Sequence, residues 1–262
     1  MKADYKNWVP KGMKYGCMAG AAATLLLLLV CAFSGVVAGT LRIVLCVVFA
    51  LAFLVLLIYA VWCVIAYDAF SYDGKRQLSR RVVAGTASYI TLPSGGKGLD
   101  VGCGSGALTI ACAKRNPQGT MLGIDYWGKE YASFSKALCE KNAKAEGVQN
   151  TSFAKGNAIK LDFADESFDA VTSNYVYHNI AGVDRRALLL ESLRVLKKGG
   201  CFAIHDLMSK RRYGDMAAFA EKLRAMGYER VEFIDTTNGL FMSKSESRLL
   251  MLGGSTLLVG RK

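Results

Sequence analysis

The stretch that decides the fold is LDVGCGSGALTI, residues 99–110. An apolar strand ends near Val101. Gly102, Cys103, Gly104, Ser105 and Gly106 then make a sharp turn, and a helix opens near Ala107. Glycines at such a turn let the backbone adopt positive φ and approach a ligand closely. The unpaired N–H groups of the following helix start favour a carboxylate. Asp100, at the strand end, is placed to meet an amino group. A ligand carrying both a carboxylate and an ammonium suits this arrangement. The spacing is G-x-G-x-G, whereas dinucleotide enzymes carry G-x-G-x-x-G/A. A nicotinamide oxidoreductase is therefore disfavoured. Taken alone, a glycine-rich turn also reads as a simple strand-to-helix connection.

Downstream, short apolar runs alternate with helical stretches. Strands are expected near 98–102, 120–125, 151–155, 168–173, 200–206, 230–235 and 255–260, and helices near 106–115, 129–146, 185–196 and 214–226. This alternation predicts an α/β, Rossmann-like, doubly wound and mostly parallel seven-stranded sheet. No helix is expected between the last two strands, so the final one should run antiparallel. In GIDYWG, residues 123–128, Asp125 ends the second strand about twenty residues past the turn, where an acidic side chain meets ribose hydroxyls. Tyr126 and Trp127 are candidates to cover an adenine face, or are ordinary core aromatics.

Residues 97–206 resemble a class I S-adenosylmethionine-dependent methyltransferase, in the branch of quinone C-methyltransferases and small-molecule methyltransferases. Four segments carry the resemblance in family order: LDVGCGSG, the Asp125 strand, KGNAIKLDFADESFDAVTSN at 155–174, and LLLESLRVLKKGGCFAIHD at 188–206. The resemblance implies that S-adenosylmethionine is held by Asp100, Gly102, Cys103, Gly104, Gly106, Asp125, Tyr126, Trp127, Asn157, Ala158 and Asn174. Asn157 stands where the family often has Asp, and its carbonyl oxygen retains the power to accept. The implied reaction is in-line displacement at an activated methyl, in which the protein aligns the nucleophile and excludes water.

The catalytic candidates are His178 and Tyr177, in SNYVYHNI at 173–180. Ligands in open sheets bind beyond the carboxyl ends of strands, and an ordinary histidine titrates near neutral pH, as a general base must. Tyr175 is a further neighbour. His205 and Asp206, ending the fifth strand, rank second and read as structural.

Upstream, Tyr15–Leu41 and Ile43–Tyr67 carry no charged residue. Each exceeds the roughly 18 to 20 apolar residues needed to span a bilayer. They predict a transmembrane helical hairpin turning at Gly39, Thr40, Leu41 and Arg42; the first run is too long for a signal peptide. Lys2, Lys6, Lys11 and Lys14 on one side, with Lys75, Arg76, Arg80 and Arg81 on the other, predict that both ends face the cytosol. Gly16/Gly20 and Gly35/Gly39 offer small-residue helix contacts. The expected organisation is a cytosolic lead-in at 1–14, two transmembrane helices at 15–67, a linker helix and loop at 68–96, and a methyltransferase domain at 97–262. That makes the chain an integral protein of the cytoplasmic membrane with its catalytic domain in the cytosol.

The chain carries a formal charge of +12. Residues 68–262 keep 28 basic and 20 acidic residues, which suits anionic membrane lipids or plain solubility. No added nucleic-acid-binding domain or N-P-P-[YF] motif is seen. Eight cysteines without a C-x-x-C pair, and only two histidines, argue against a structural zinc. The expected partners are a small lipophilic acceptor and membrane lipids. Polyprenyl quinone C-methylation, thiol methylation and a non-catalytic cofactor-binding module stay open, as does the oligomeric state.

Overall fold

The computed structural model describes residues 2–128 and 133–262. The chain divides into two compact units, Asn7–Ser79 and a discontinuous unit made of Met1–Lys6 with Arg80–Lys262.

The first unit is a helical hairpin. Helix α1 runs Lys11–Phe33 and α2 runs Gly39–Phe70. Both are long and apolar enough to cross a membrane. Leu26, Phe33, Ile43, Leu51 and Ile58 are among the exposed apolar side chains. The connection lies at 34–38 rather than at Gly39–Arg42. Ser34 caps α1 through its hydroxyl on the Val30 carbonyl at 2.6 Å, and Gly35 and Gly39 take φ of 70° and 62°. The reversal goes where left-handed glycines permit it. Arg42 instead sits in the first turn of α2, where its guanidinium donates to the Ala32 carbonyl left open at the end of α1. Of the expected small-residue contacts only Gly20 meets the facing helix, at Leu56; Gly16 faces open space and Gly35 and Gly39 belong to the reversal. At the far end, Asn7 donates to the Tyr67 carbonyl and Trp8 lies 5.0 Å from the Phe70 ring.

The second unit holds a seven-stranded sheet: β1 Lys97–Val101, β2 Thr120–Asp125, β3 Thr151–Lys155, β4 Phe168–Asn174, β5 Leu196–Leu207, β6 Arg230–Asp235 and β7 Ser255–Arg261. Its order is β3-β2-β1-β4-β5-β7-β6, with only β7 antiparallel to its neighbours. Helices α3 (Leu78–Ala87), α4 (Ala107–Arg115), α5 (Lys136–Ala145), α6 (Arg185–Arg194), α7 (Lys210–Tyr213), α8 (Met216–Ala225) and α9 (Lys244–Leu249) complete the chain. Residues 129–132 of the expected helix at 129–146 lie outside the described residues. Side-chain caps fix the starts of several helices. Ser135, Asp184 and Asp215 accept from backbone N–H groups two or three residues on. Ser243 and Glu246 form a capping box that starts α9. A core of Leu99, Val171, Leu189, Leu193, Phe202 and Leu258 among others fixes the strands' alternation.

This strand order decides the site. β1 lies between β2 and β4, so the sheet's order reverses direction there. The carboxyl ends of β2, β1, β4 and β5 are neighbours, and these are the ends that carry Asp125, the glycine turn, Asn174 and Asp206.

Candidate active site

The glycine turn has the conformation its residues demand. Gly102, Gly104 and Gly106 take φ of 73°, 55° and 82°. A side chain on Gly102 would strike Val176 at 2.3 Å, whereas a Cβ on Gly104 would meet nothing within 4 Å. Gly104 therefore faces open space at the mouth of the turn, where only a hydrogen-sized residue leaves room for a ligand. Its N–H donates to Asp125 at 2.8 Å, and the other Asp125 oxygen accepts from the Trp127 N–H at 2.7 Å. Two hydrogen bonds thus aim this carboxylate at the turn. The Trp127 indole N–H donates to the Gly104 carbonyl at 3.0 Å. Trp127 is consequently a brace on the turn. Tyr126 is 63% exposed, with the Lys155 ammonium over its ring.

Asp100 is buried and accepts from the Thr109 hydroxyl at 2.6 Å. Burial pushes its carboxyl up to about 7, against the pull of that hydrogen bond, and the charge of Asp125 adds to the rise. Cys103 is buried too. Burial, reinforced by Cys139 beside it, drives its thiol well up, so it stays protonated and packs as an apolar group. Asn157 is exposed, and its carbonyl oxygen accepts from the Ile159 N–H at 2.9 Å, closing an Asx turn. Ala158 packs against the core edge.

Beyond β4 the chain makes a strained step. Tyr175 takes φ of 55°, an unusual conformation for a bulky residue that its surroundings must enforce. Its N–H donates to the His205 carbonyl at 2.8 Å, its phenol meets Ser255 at 2.6 Å, and its ring lies 4.6 Å from His205. One turn of 3₁₀ helix, Tyr177–Asn179, follows. It brings His178 Nδ1 to 2.5 Å from Asp206 Oδ1. Asp206 is fully buried and also accepts from the Tyr177, His178 and Leu207 N–H groups. Burial pushes this carboxyl up, but the hydrogen bonds and charge of His178, with the Leu207 N–H, outweigh it and hold the group below the usual range. Asp206 is therefore an acceptor only. The hydrogen bond between the two thus runs from His178 Nδ1–H to Asp206 Oδ1.

Tyr177 does not join this group, contrary to the expectation. It is fully buried in the core, its phenol is hydrogen-bonded to Ser192 at 2.6 Å, and burial raises that phenol well above its ordinary range. It has no path to a reacting atom. Asp206, ranked second with His205, is the residue that the structure brings onto His178. The usable signal was its position at the end of β5, next to the strand that carries His178. Asn174 ends β4 and contacts the ring of buried His205 at 2.8 Å. Burial lowers His205 to about 3, so its imidazole is neutral at ordinary pH.

Comparisons with known proteins bear on the domain and its fold. Residues 99–204 match the family described as Methyltransferase domain. A demethylmenaquinone methyltransferase of Geobacillus stearothermophilus is 31% identical over 157 residues, 60% of this chain and 61% of that protein. The chain spans about half the length of the curated relatives it matches, between 40% and 61% of each of the first five. Among solved structures, the cyclase SpnF superposes with a TM-score of 0.54 at 19% identity, over 73% of this chain and 85% of that one. A geranyl diphosphate methyltransferase in complex with GPP and sinefungin gives 0.52 at 16% identity, over 75% and 81%. These two likenesses speak to the fold alone. A cavity of about 950 Å³, lined by Leu92, Pro93, Cys201 and Arg261, opens at the opposite ends of the strands and shares no residue with the site. Strand order, glycine turn and family match converge, and over residues 99–204 the chain is similar to the class I S-adenosylmethionine-dependent methyltransferases.

Proposed function

We propose that the chain is a membrane-anchored enzyme that methylates a small lipophilic acceptor, with His178 as its general base and Asp206 as the group that orients it. The observation that carries this reading is the His178–Asp206 pair at the carboxyl ends of β4 and β5, next to the glycine turn. Gly104, Gly106, Asp125 and Asp100 are the residues to hold S-adenosylmethionine, and the open space at Gly104 fits its methionine end. When bound, the cofactor supplies a methyl group already activated by its sulfonium. The protein's own work is then positional. Asp206 fixes the His178 tautomer and ring plane, and Nε2 takes the proton that the acceptor's attacking atom must lose. A positioned base of this kind contributes about 100- to 10,000-fold.

The two long apolar helices support membrane anchoring, and a short tether to a bilayer favours an acceptor that resides there. Similarity to demethylmenaquinone methyltransferases favours a second reading, C-methylation of a polyprenyl quinone precursor. Thiol methylation, and a module that binds the cofactor without turnover, are outcomes of the same test. Detergent-solubilised protein is incubated with methyl-labelled cofactor and a membrane lipid and metabolite extract. The expected result is a labelled, apolar product whose chemistry names the methylated atom. His178→Ala should lose at least about 100-fold of that turnover, with cofactor affinity within about threefold of wild type. No labelled product from any fraction, or full turnover in the variant, overturns the assignment.

A further inference from the structure

The hydroxyl of Ser105, in the middle of the glycine turn, donates to the carbonyl of Tyr5 at 2.9 Å, across a separation of 100 residues. The adjoining residue is held just as firmly. Asn142, on α5, accepts from the Asp4 N–H at 2.7 Å through its carbonyl oxygen. Its amide nitrogen donates to the Asp4 carbonyl at 3.0 Å and to the Ser105 carbonyl at 3.0 Å. Asn142 is fully buried, and Tyr5 is only 8% exposed. A buried amide with every one of these bonds satisfied is expensive to disturb. It ties two things together: a short amino-terminal strap, and Ser105, the residue next to Gly104 and its open space in the turn.

Nothing in the strand-turn-helix itself requires this strap. The glycine turn is already fixed by Asp125 on β2 and by Trp127. What the strap adds is a second wall, made by Asp4 and Tyr5, at the end of the site that takes a carboxylate and an ammonium. We propose that residues 4 and 5 complete the cofactor site, and that Asn142 is the positioning residue that holds them on the glycine turn. The inference rests on the cofactor reading given above. The strap packs on the methionine end, so it governs the hold on that end and leaves the adenosine end alone.

That asymmetry supplies the test. Two variants, Asn142→Ala in the full chain and a deletion of residues 2–5, are compared with wild type in the same detergent. Two ligands are titrated by calorimetry: S-adenosylhomocysteine, which has the amino-acid end, and 5′-methylthioadenosine, which lacks it. Both variants should bind S-adenosylhomocysteine about tenfold more weakly, the size of change that one or two net hydrogen bonds produce. Their affinity for 5′-methylthioadenosine should stay within about twofold of wild type. The deletion leaves Asn142 in place, so it keeps the test valid if Asn142→Ala unfolds. Equal weakening of both ligands, or no weakening of either, overturns the proposal. A wild-type chain that binds neither ligand overturns the cofactor reading instead, and the proposal with it.

Discussion

His205 and Asp100 carry opposite protonation errors, each forced by burial. Unfolded, His205 titrates near 6.5, and folded it does so at about 3. Between those values the unfolded chain binds a proton that the folded chain refuses, so stability falls as pH falls. Asp100 moves the other way, from 3.8 unfolded to about 7 folded. Between those values the folded chain keeps a proton that the unfolded chain has lost, so stability rises as pH falls. From about pH 6 to about pH 4.5 the two slopes cancel. Asp100→Asn keeps a partner for Thr109 yet removes the compensation. The variant without cofactor should lose about 1.4 kcal/mol per pH unit relative to wild type across that window. Denaturant titrations at pH 6 and pH 4.5 measure it, and parallel behaviour of the two proteins contradicts the assignment. Residues of this kind are only partly legible in a sequence. The place of His178, just past the fourth strand, was legible. Tyr177 was misread because extended chain would put Tyr175 and Tyr177 on one face. The left-handed step at Tyr175 breaks that period, sending one ring to His205 and the other into the core.

Elements were legible where a periodic pattern met a clear stop. All seven strands lie within four residues of their expected starts, the largest shift being β5, which begins at Leu196. β7 is antiparallel as expected, although the short helix α9 does lie between β6 and β7, where none was expected. The hairpin reversal was placed too late because 34–38 is small and apolar, so only the glycine conformations mark it. Helix α9 lies where no helix was expected, although its S-x-x-E capping box at 243–246 is a start signal. The strand-turn-helix of β1 and α4 gives the sharpest prediction at this scale, because its glycines face different neighbours. Gly102→Ala pushes a methyl group into Val176 at a positive φ and should cost stability, about 1–3 kcal/mol as for other overpacked sites. Gly104→Val meets no protein atom at its Cβ but is strained at its positive φ, so at least tenfold of cofactor binding should be lost in addition to a loss of stability. Thermal melts with and without S-adenosylhomocysteine separate the two. A Gly104 variant that is stabilised by ligand as fully as wild type removes Gly104 from the site.

At the scale of the whole molecule, the sequence showed an apolar segment at 15–67 and a mixed remainder but not how the chain is shared between the two units. The catalytic unit is discontinuous, with Met1–Lys6 on one side of the hairpin in sequence and Arg80–Lys262 on the other. No local pattern announces a partnership between residues 138 positions apart. The basic residues flanking the hairpin predict that both of its ends face the cytosol. An impermeant thiol reagent tests this on Val36→Cys and Lys262→Cys. Position 36 is 79% exposed in the reversal and should label from outside, and position 262 should label only after permeabilisation. The reverse pattern overturns the topology.

The discontinuity also has a consequence for biosynthesis. A ribosome makes the strap first and its anchor last. At about 5–20 residues per second, Asn142 follows Asp4 by on the order of ten seconds, and the whole apolar hairpin is made in between. Through that interval Asp4 and Tyr5 have no Ser105 or Asn142 to bind. The strap can therefore settle only after Ser105 and Asn142 have been made and folded. A bulky tag fused ahead of Met1 would burden this closing step, whereas one placed after Lys262 would leave it free.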